Sequence, residues 1–184
     1  MKLELKKIKL GPGSEETIQF TAELYVNGEL VALCVNSGKG GETEIRTYPK
    51  HDTRKGYENA MNLIAEAEVY AKTLPGVPSD FSDGELPMSL DFWVDIEVGK
   101  FAQLKDREKI INRIDKACQT KIVIFNKIEY ESFMAGKTME MSQREWVFKK
   151  PLSSFPVEFL KWQLKEIKKT VSSEEFIYNK NLPE

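Results

Sequence analysis

Two runs of alternating residues meet at Asn27-Gly28, and that junction constrains the fold more than any other stretch of the chain. Asn-Gly favours a two-residue type I′ turn, whose twist matches the right-handed twist of the strands on either side. Such a turn sets a register, with Val26 opposite Glu29, Leu24 opposite Val31, Ala22 opposite Leu33 and Phe20 opposite Val35. Apart from Glu29 beside the turn, those positions make one wholly apolar face, as an antiparallel pair covering a core requires. The other face, with Tyr25 and Leu30, Glu23 and Ala32, Thr21 and Cys34, is mixed.

The hairpin has strands before and after it. Lys2–Leu10 alternates, Leu3 and Leu5 against Lys2, Glu4 and Lys6, and ends at Gly11-Pro12-Gly13. A Gly-rich loop, Ser37–Gly41, leads to a further strand near Glu42–Tyr48. A helix is then expected from about Tyr57 to Leu74, with Ala60, Leu63, Ile64, Ala67, Tyr70, Ala71 and Leu74 on its apolar stripe. Residues 75–87 are rich in Pro, Gly, Ser and Asp. Beyond them, Ser89 is placed to cap a helix starting at Leu90, with a break at Gly99. A second helical run follows from Ala102 to Gln119, with Leu104, Ile111, Ile114 and Cys118 on one face. Lys121–Tyr130 and Met139–Lys149 read as strands of a hairpin turning at Ala135-Gly136-Lys137. Pro156 opens a last helix that buries Leu160, Leu164, Ile167 and Val171, and Ser172–Glu184 reads as partly extended.

This order predicts an α+β fold: an antiparallel β-meander packed on a helix, then a second lobe of helix, β-hairpin and helix. The expected organisation is a first lobe over residues 1–75, a linker over 76–88 and a second lobe over 89–184, together one compact unit.

Chemistry is harder to place. The chain has a single histidine, His51, and two cysteines, Cys34 and Cys118, which removes most metal, thiol and imidazole chemistry at neutral pH. The cysteines read as reduced, buried thiols. MKLELKKIKL lacks the apolar stretch of a signal peptide, and no segment approaches the ~20 apolar residues of a membrane span, so the expected location is the cytoplasm. The formal charge of −2 is spread along the chain, although Lys149, Lys150, Lys161, Lys165, Lys168 and Lys169 form a local basic set.

Gly38-Lys39-Gly40-Gly41 resembles a phosphate loop only in its glycines: Glu42-Thr43-Glu44 follows, and a strand rather than a helix comes next. Gly136-Lys137-Thr138 fails the same motif because Glu131 occupies its first glycine position. His51 sits in a polar loop without a nucleophile beside it. Asp91 and Asp95, four apart on one helix face, and Asp80, Asp83 and Glu85 in the linker read as solvated carboxylates. No metal site and no cofactor are expected. The aromatic residues carry the positive signal. Phe92-Trp93, and Phe159 with Trp162, cannot all point inward from one helix face, and exposed Trp and Phe mark protein-binding surfaces.

Several stretches together resemble a family of small uncharacterised proteins encoded by bacteriophages and other mobile elements of bacteria. They are Lys2-Leu3-Glu4-Leu5-Lys6-Lys7-Ile8-Lys9, Ser14-Glu15-Glu16-Thr17 and Phe20-Thr21-Ala22-Glu23-Leu24-Tyr25-Val26-Asn27-Gly28. The Gly-rich turn, Ala65-Glu66-Ala67-Glu68 leading into Lys72-Thr73-Leu74-Pro75, and the terminal Asn179-Lys180-Asn181-Leu182-Pro183-Glu184 complete the set. The resemblance covers the first 75 residues best. It implies a setting inside a bacterial host cell and brings no catalytic residues with it.

The leading expectation is a non-enzymatic binding protein of phage or mobile-element origin that binds and inhibits a bacterial host defence protein, through Phe92, Trp93, Phe159 and Trp162. The alternatives are nucleic-acid binding through the lysines of the last helix, or sequestration of a nucleotide-like ligand by Lys39, Arg46 and Arg54. No acid, base and nucleophile form a visible constellation, so an enzyme ranks last. An exposed apolar face on either lobe would also permit a homodimer.

Overall fold

The computed structural model describes residues 1–48, 53–78 and 84–183. Four strands, β1 (Leu3–Leu10), β2 (Phe20–Val26), β3 (Glu29–Asn36) and β4 (Glu44–Thr47), form an antiparallel meander in that order. Helix α1 (Arg54–Ala71) follows, then a two-residue ladder of β5 (Val77–Pro78) on β6 (Glu85–Leu86). Next come α2 (Leu90–Ala117), β7 (Lys121–Asn126), α3 (Lys127–Met134), β8 (Gln143–Val147), a 3-10 turn at Leu152–Ser154, α4 (Val157–Lys168) and β9 (Glu175–Ile177). The fold is α+β with antiparallel sheets, as the element order predicts. The chain divides into two compact units, Met1–Ala102 and Gln103–Glu184.

In Met1–Ala102 the sheet buries one face. Phe20, Ala22, Leu24, Val26, Val31, Ala32 and Cys34 meet Ala67 and Ala71 of α1 and Leu90, Val94 and Val98 of α2. The residues of α1 with no exposed surface are alanines, which let the helix backbone approach the sheet closely. Thr53 caps α1 by accepting from the Gly56 N–H, so the helix starts three residues before the expected Tyr57.

The hairpin turns at Asn27-Gly28 as expected, but its register holds for only two pairs. Val26 faces Glu29 and Tyr25 faces Leu30; then Leu24 faces Ala32 and Ala22 faces Cys34, because Val31 is an extra residue in β3. This β-bulge buries Val31 and Ala32 together, and it turns Asn36 inward at the strand end in place of Val35. A second bulge lies in β1 between Lys6 and Lys9. Leu3 and Leu5 face the core, and so does Ile8, which strict alternation would put outside. Lys7 absorbs the mismatch with a left-handed backbone, φ 50°.

Helix α2 runs through Gly99 without the expected break. Leu90, Val94 and Val98 repeat at four-residue spacing and are fully buried, and a side chain at Gly99 would meet nothing, so only intrinsic propensity opposes the helix there.

In Gln103–Glu184 the sheet order is β8-β7-β9. The run Ile122-Val123-Ile124-Phe125 of β7 is buried on both faces, the mark of a central strand. Ile122 and Ile124 pack with Leu160, Leu164 and Ile167 of α4; Val123 and Phe125 pack with Ile114 and Tyr178. Leu104, expected on the buried face, is exposed. The expected strand Lys121–Tyr130 stops at Asn126, whose side chain accepts from the Ile128 and Glu129 amides and starts α3. Gly136 (φ 77°) therefore follows a helix rather than forming the tip of a hairpin.

Candidate functional site

Several polar side chains of Met1–Ala102 satisfy one another. Asn36 is the hub: its Oδ1 accepts from the Thr17 hydroxyl and the Gly38 amide, and its Nδ2 donates to the Gly41 carbonyl and to Thr43 Oγ1. Thr43 in turn donates to Asp95 Oδ1 on α2. Burial raises the Asp95 carboxyl above the usual aspartate range, partly offset by the Thr43 hydroxyl. The Gly-rich loop is thus folded onto its own strand ends. Its Gly38 and Gly40 amides point to Asn36 and Thr17, and the Glu16 carboxylate lies where a Gly40 side chain would be. A phosphate would find the Gly38 and Gly40 amides engaged and the Glu16 carboxylate beside them.

The outer sheet face holds a cluster that sequence reading misses. Glu23 is buried and accepts from Lys7 Nζ at 3.0 Å, Tyr25 Oη at 3.1 Å and Tyr48 Oη at 2.9 Å. The Lys7 ammonium foremost holds the Glu23 carboxyl below its usual range. Burial raises the Tyr25 phenol, and the Glu23 carboxylate raises that of Tyr48. A carboxylate held charged beside phenols held protonated ties β1 and β2 to the residue after β4, and none of these three groups is poised to exchange a proton near neutrality. The irregular spacing Leu3, Leu5, Ile8 is the one trace of this cluster in the sequence, since it forces the bulge that aims Lys7 at Glu23.

The residues singled out for anions are placed separately. Arg46 pairs with Glu44, Arg54 with Glu58 at 2.9 Å, and Lys39 is exposed in the Gly-rich loop. Each arginine already has a carboxylate. Ser89 caps α2 and donates to Asp91, so Asp91 and Asp95 serve different hydrogen bonds. Among the described residues no group of three or more His, Cys, Asp and Glu side chains is arranged to hold a metal ion. His51, Asp80 and Asp83 lie outside the described residues. Burial pushes the Cys34 thiol up to about 12 and raises that of Cys118, the opposite of an activated nucleophile. Among the described residues no helix is long and apolar enough to cross a membrane.

The four aromatic candidates divide between the units. Phe92 and Trp93 are half-buried against the core of Met1–Ala102, where they stabilise the packing of α2. Phe159 and Trp162 belong to a ladder in Gln103–Glu184. Phe148 stands 5.6 Å from Phe155, Phe155 stacks 5.1 Å from Phe159, and Phe159 lies 6.3 Å from Trp162, centroid to centroid. The inner rungs, Phe148 and Phe155, pack on the cluster of Ile122, Leu152, Leu160 and Ile167. The outer rungs open to solvent, Phe159 37% and Trp162 56% exposed. Spacings of four and three residues stack these rings along one side of α4, opposite its buried Leu164. Lys161, Lys165 and Lys168 are exposed beside them. Glu158 and Glu166 stand one turn before and after Trp162, and Glu166 holds Lys169 at 2.6 Å.

The chain matches no family model, no curated protein and no solved structure.

Proposed function

We propose that the chain is a non-enzymatic binding protein whose α4 ladder docks into an apolar pocket of a partner protein with a rim of both charge signs. The observation that carries this reading is Trp162, more than half exposed at the end of a ring stack anchored in the core. A Trp and a Phe held in fixed positions make a binding anchor that loses little freedom on docking. Lys161, Lys165 and Lys168, with Glu158 and Glu166, supply a rim of mixed charge. A protein surface suits this face better than a nucleic-acid strand, because Glu158 and Glu166 flank the tryptophan where a phosphate backbone would run. The resemblance of the sequence to phage and mobile-element proteins supports a partner in the cytoplasm of a bacterial host, with a defence component as the target to inhibit.

The test is affinity capture from bacterial lysate before and after nuclease, with wild type, Phe159→Ala and Trp162→Ala in parallel. The expected result is one nuclease-resistant partner whose affinity falls roughly thirtyfold in Trp162→Ala, with the thermal midpoint unchanged. A partner retained by Trp162→Ala would overturn the reading. Recovery of nucleic acid whose binding weakens steeply with salt would replace it with the lysine-based alternative.

A further inference from the structure

We infer that Gln103–Glu184 carries a second, small-molecule site that takes a zwitterion with an apolar side chain, the chemistry of a hydrophobic amino acid. A cavity of about 630 Å³ lies where the end of α2, the 3-10 turn, α4 and the C-terminal residues come together. That volume falls within the ~300–1,000 Å³ of small-molecule pockets.

Its walls define what fits. Leu152, Leu160 and Leu182 give it an apolar surface continuous with the cluster beneath α4. Two of its polar side chains are already engaged. Asn179 accepts from the Val123 amide and donates to the Cys118 and Lys121 carbonyls, which closes the end of the sheet. Tyr178 donates to Asp115 Oδ1 at 2.8 Å, and burial raises its phenol further. Two charges of opposite sign remain in the wall. Lys180 Nζ stands 5.7 Å from the Tyr178 ring centroid, and Asp115 keeps a second carboxylate oxygen. Neither forms an ion pair among the described residues. A monoanion would meet Lys180 but be repelled by Asp115, and a monocation would meet the reverse. A ligand carrying both charges satisfies both residues and places its side chain on the leucines.

Cys118 lines the same cavity and supplies a built-in reporter, while Cys34 is fully buried in the other unit and stays silent. The experiment measures alkylation of Cys118 in the intact chain, with thermal midpoint in parallel. The probes are L-phenylalanine, phenethylamine and 3-phenylpropanoate, which share a phenethyl body and carry both the ammonium and the carboxylate, the ammonium alone and the carboxylate alone. The expected result is protection and a raised midpoint with phenylalanine, about tenfold weaker with each singly charged analogue. Lys180→Met should remove the advantage of phenylalanine over phenethylamine alone. Equal effects of all three probes would overturn the charge assignment, and no protection by any of them would overturn the site.

Discussion

Replacing Asn36 by leucine keeps the side chain's size and removes every hydrogen bond it makes. Two of those bonds lie wholly inside the protein, from the Gly38 amide and to Thr43 Oγ1; those with Thr17 and Gly41 are part-buried and can be taken over by water. A buried polar group left without a partner costs about 1–3 kcal/mol, so two of them cost about 2–6 kcal/mol. A domain's whole stability is about 5–15 kcal/mol, and at this size each kcal/mol lowers the midpoint by about 2–4 °C. Asn36→Leu should therefore melt at least about 4 °C below the parent. Trp146→Phe and Trp162→Phe in both proteins leave Trp93, packed on this core, as the only indole, so its fluorescence in a urea titration isolates the right unit. A loss below about 0.5 kcal/mol, the range of ordinary surface substitutions, would refute the reasoning by showing that the loop is hydrated. Asn36→Asp gives a second arm. Thr43 has one proton and gives it to Asp95, so a carboxylate at position 36 either faces the Thr43 lone pairs or takes that proton from Asp95. One carboxylate loses its donor either way. Asn36→Asp should be weakened at neutral pH and recover as the pH falls.

Three further outcomes are expected. Asp95 has a folded pKa raised above its unfolded value, so its stabilising contribution is complete below the unfolded carboxyl range and is lost as pH rises through the raised value; Asp95→Asn, able to keep the Thr43 bond, should be more stable than wild type at neutral pH and flatten that pH dependence in urea titrations. Gly28 and Gly38 share a left-handed backbone, φ 88° and 83°, but a side chain meets open space at Gly28 and the Gly13 carbonyl at 2.5 Å at Gly38. Gly28→Ala should cost about 1–2 kcal/mol and Gly38→Ala clearly more, read from urea midpoints; equal costs would show that the loop yields. Asn126→Ala should lose about 1 kcal/mol, with faster amide exchange at Ile128 and Glu129, because it removes the cap of α3.

Much of this fold is legible in local pattern. The Asn27-Gly28 turn, the stripes of α1 and α4 and the cap at Ser89 each follow from a few neighbouring residues. The misreadings have other causes. The register slip at Val31 depends on where Asn36 finds partners, which is settled across strands, whereas the bulge at Lys7 leaves a trace along its own strand only in the spacing Leu3, Leu5, Ile8. Helix α3 is missed because Ile124-Phe125 gives a strand signal that masks the cap at Asn126, although Asn126 with Glu129 three residues on is itself a start signal. Of the four aromatic candidates, helical spacing alone could not tell Phe92 and Trp93, half-buried in one core, from Phe159 and Trp162, open on another. The cavity walls come from residues 115–182, so no window of sequence displays them together.

The energetics of Trp162 explain why the ladder is the feature to follow. A tryptophan buries about 150–250 Å² when fully enclosed, at about 25 cal/mol per Å². With 56% of its surface exposed, the fold leaves roughly 2–3 kcal/mol of possible burial unused at one residue. That matches what a single binding hot spot supplies. Phe155, stacked at 5.1 Å on Phe159, holds in place the ring against which the indole tilts at 6.3 Å before any partner arrives, so less of that gain is lost to ordering. Trp146 on the edge strand β8 is also exposed, at 43%, but among the described residues no ring pair joins it to the core as Phe155 and Phe159 join Trp162. Truncating Trp162 should thus weaken partner binding more than truncating Trp146, even though both remove comparable exposed apolar surface.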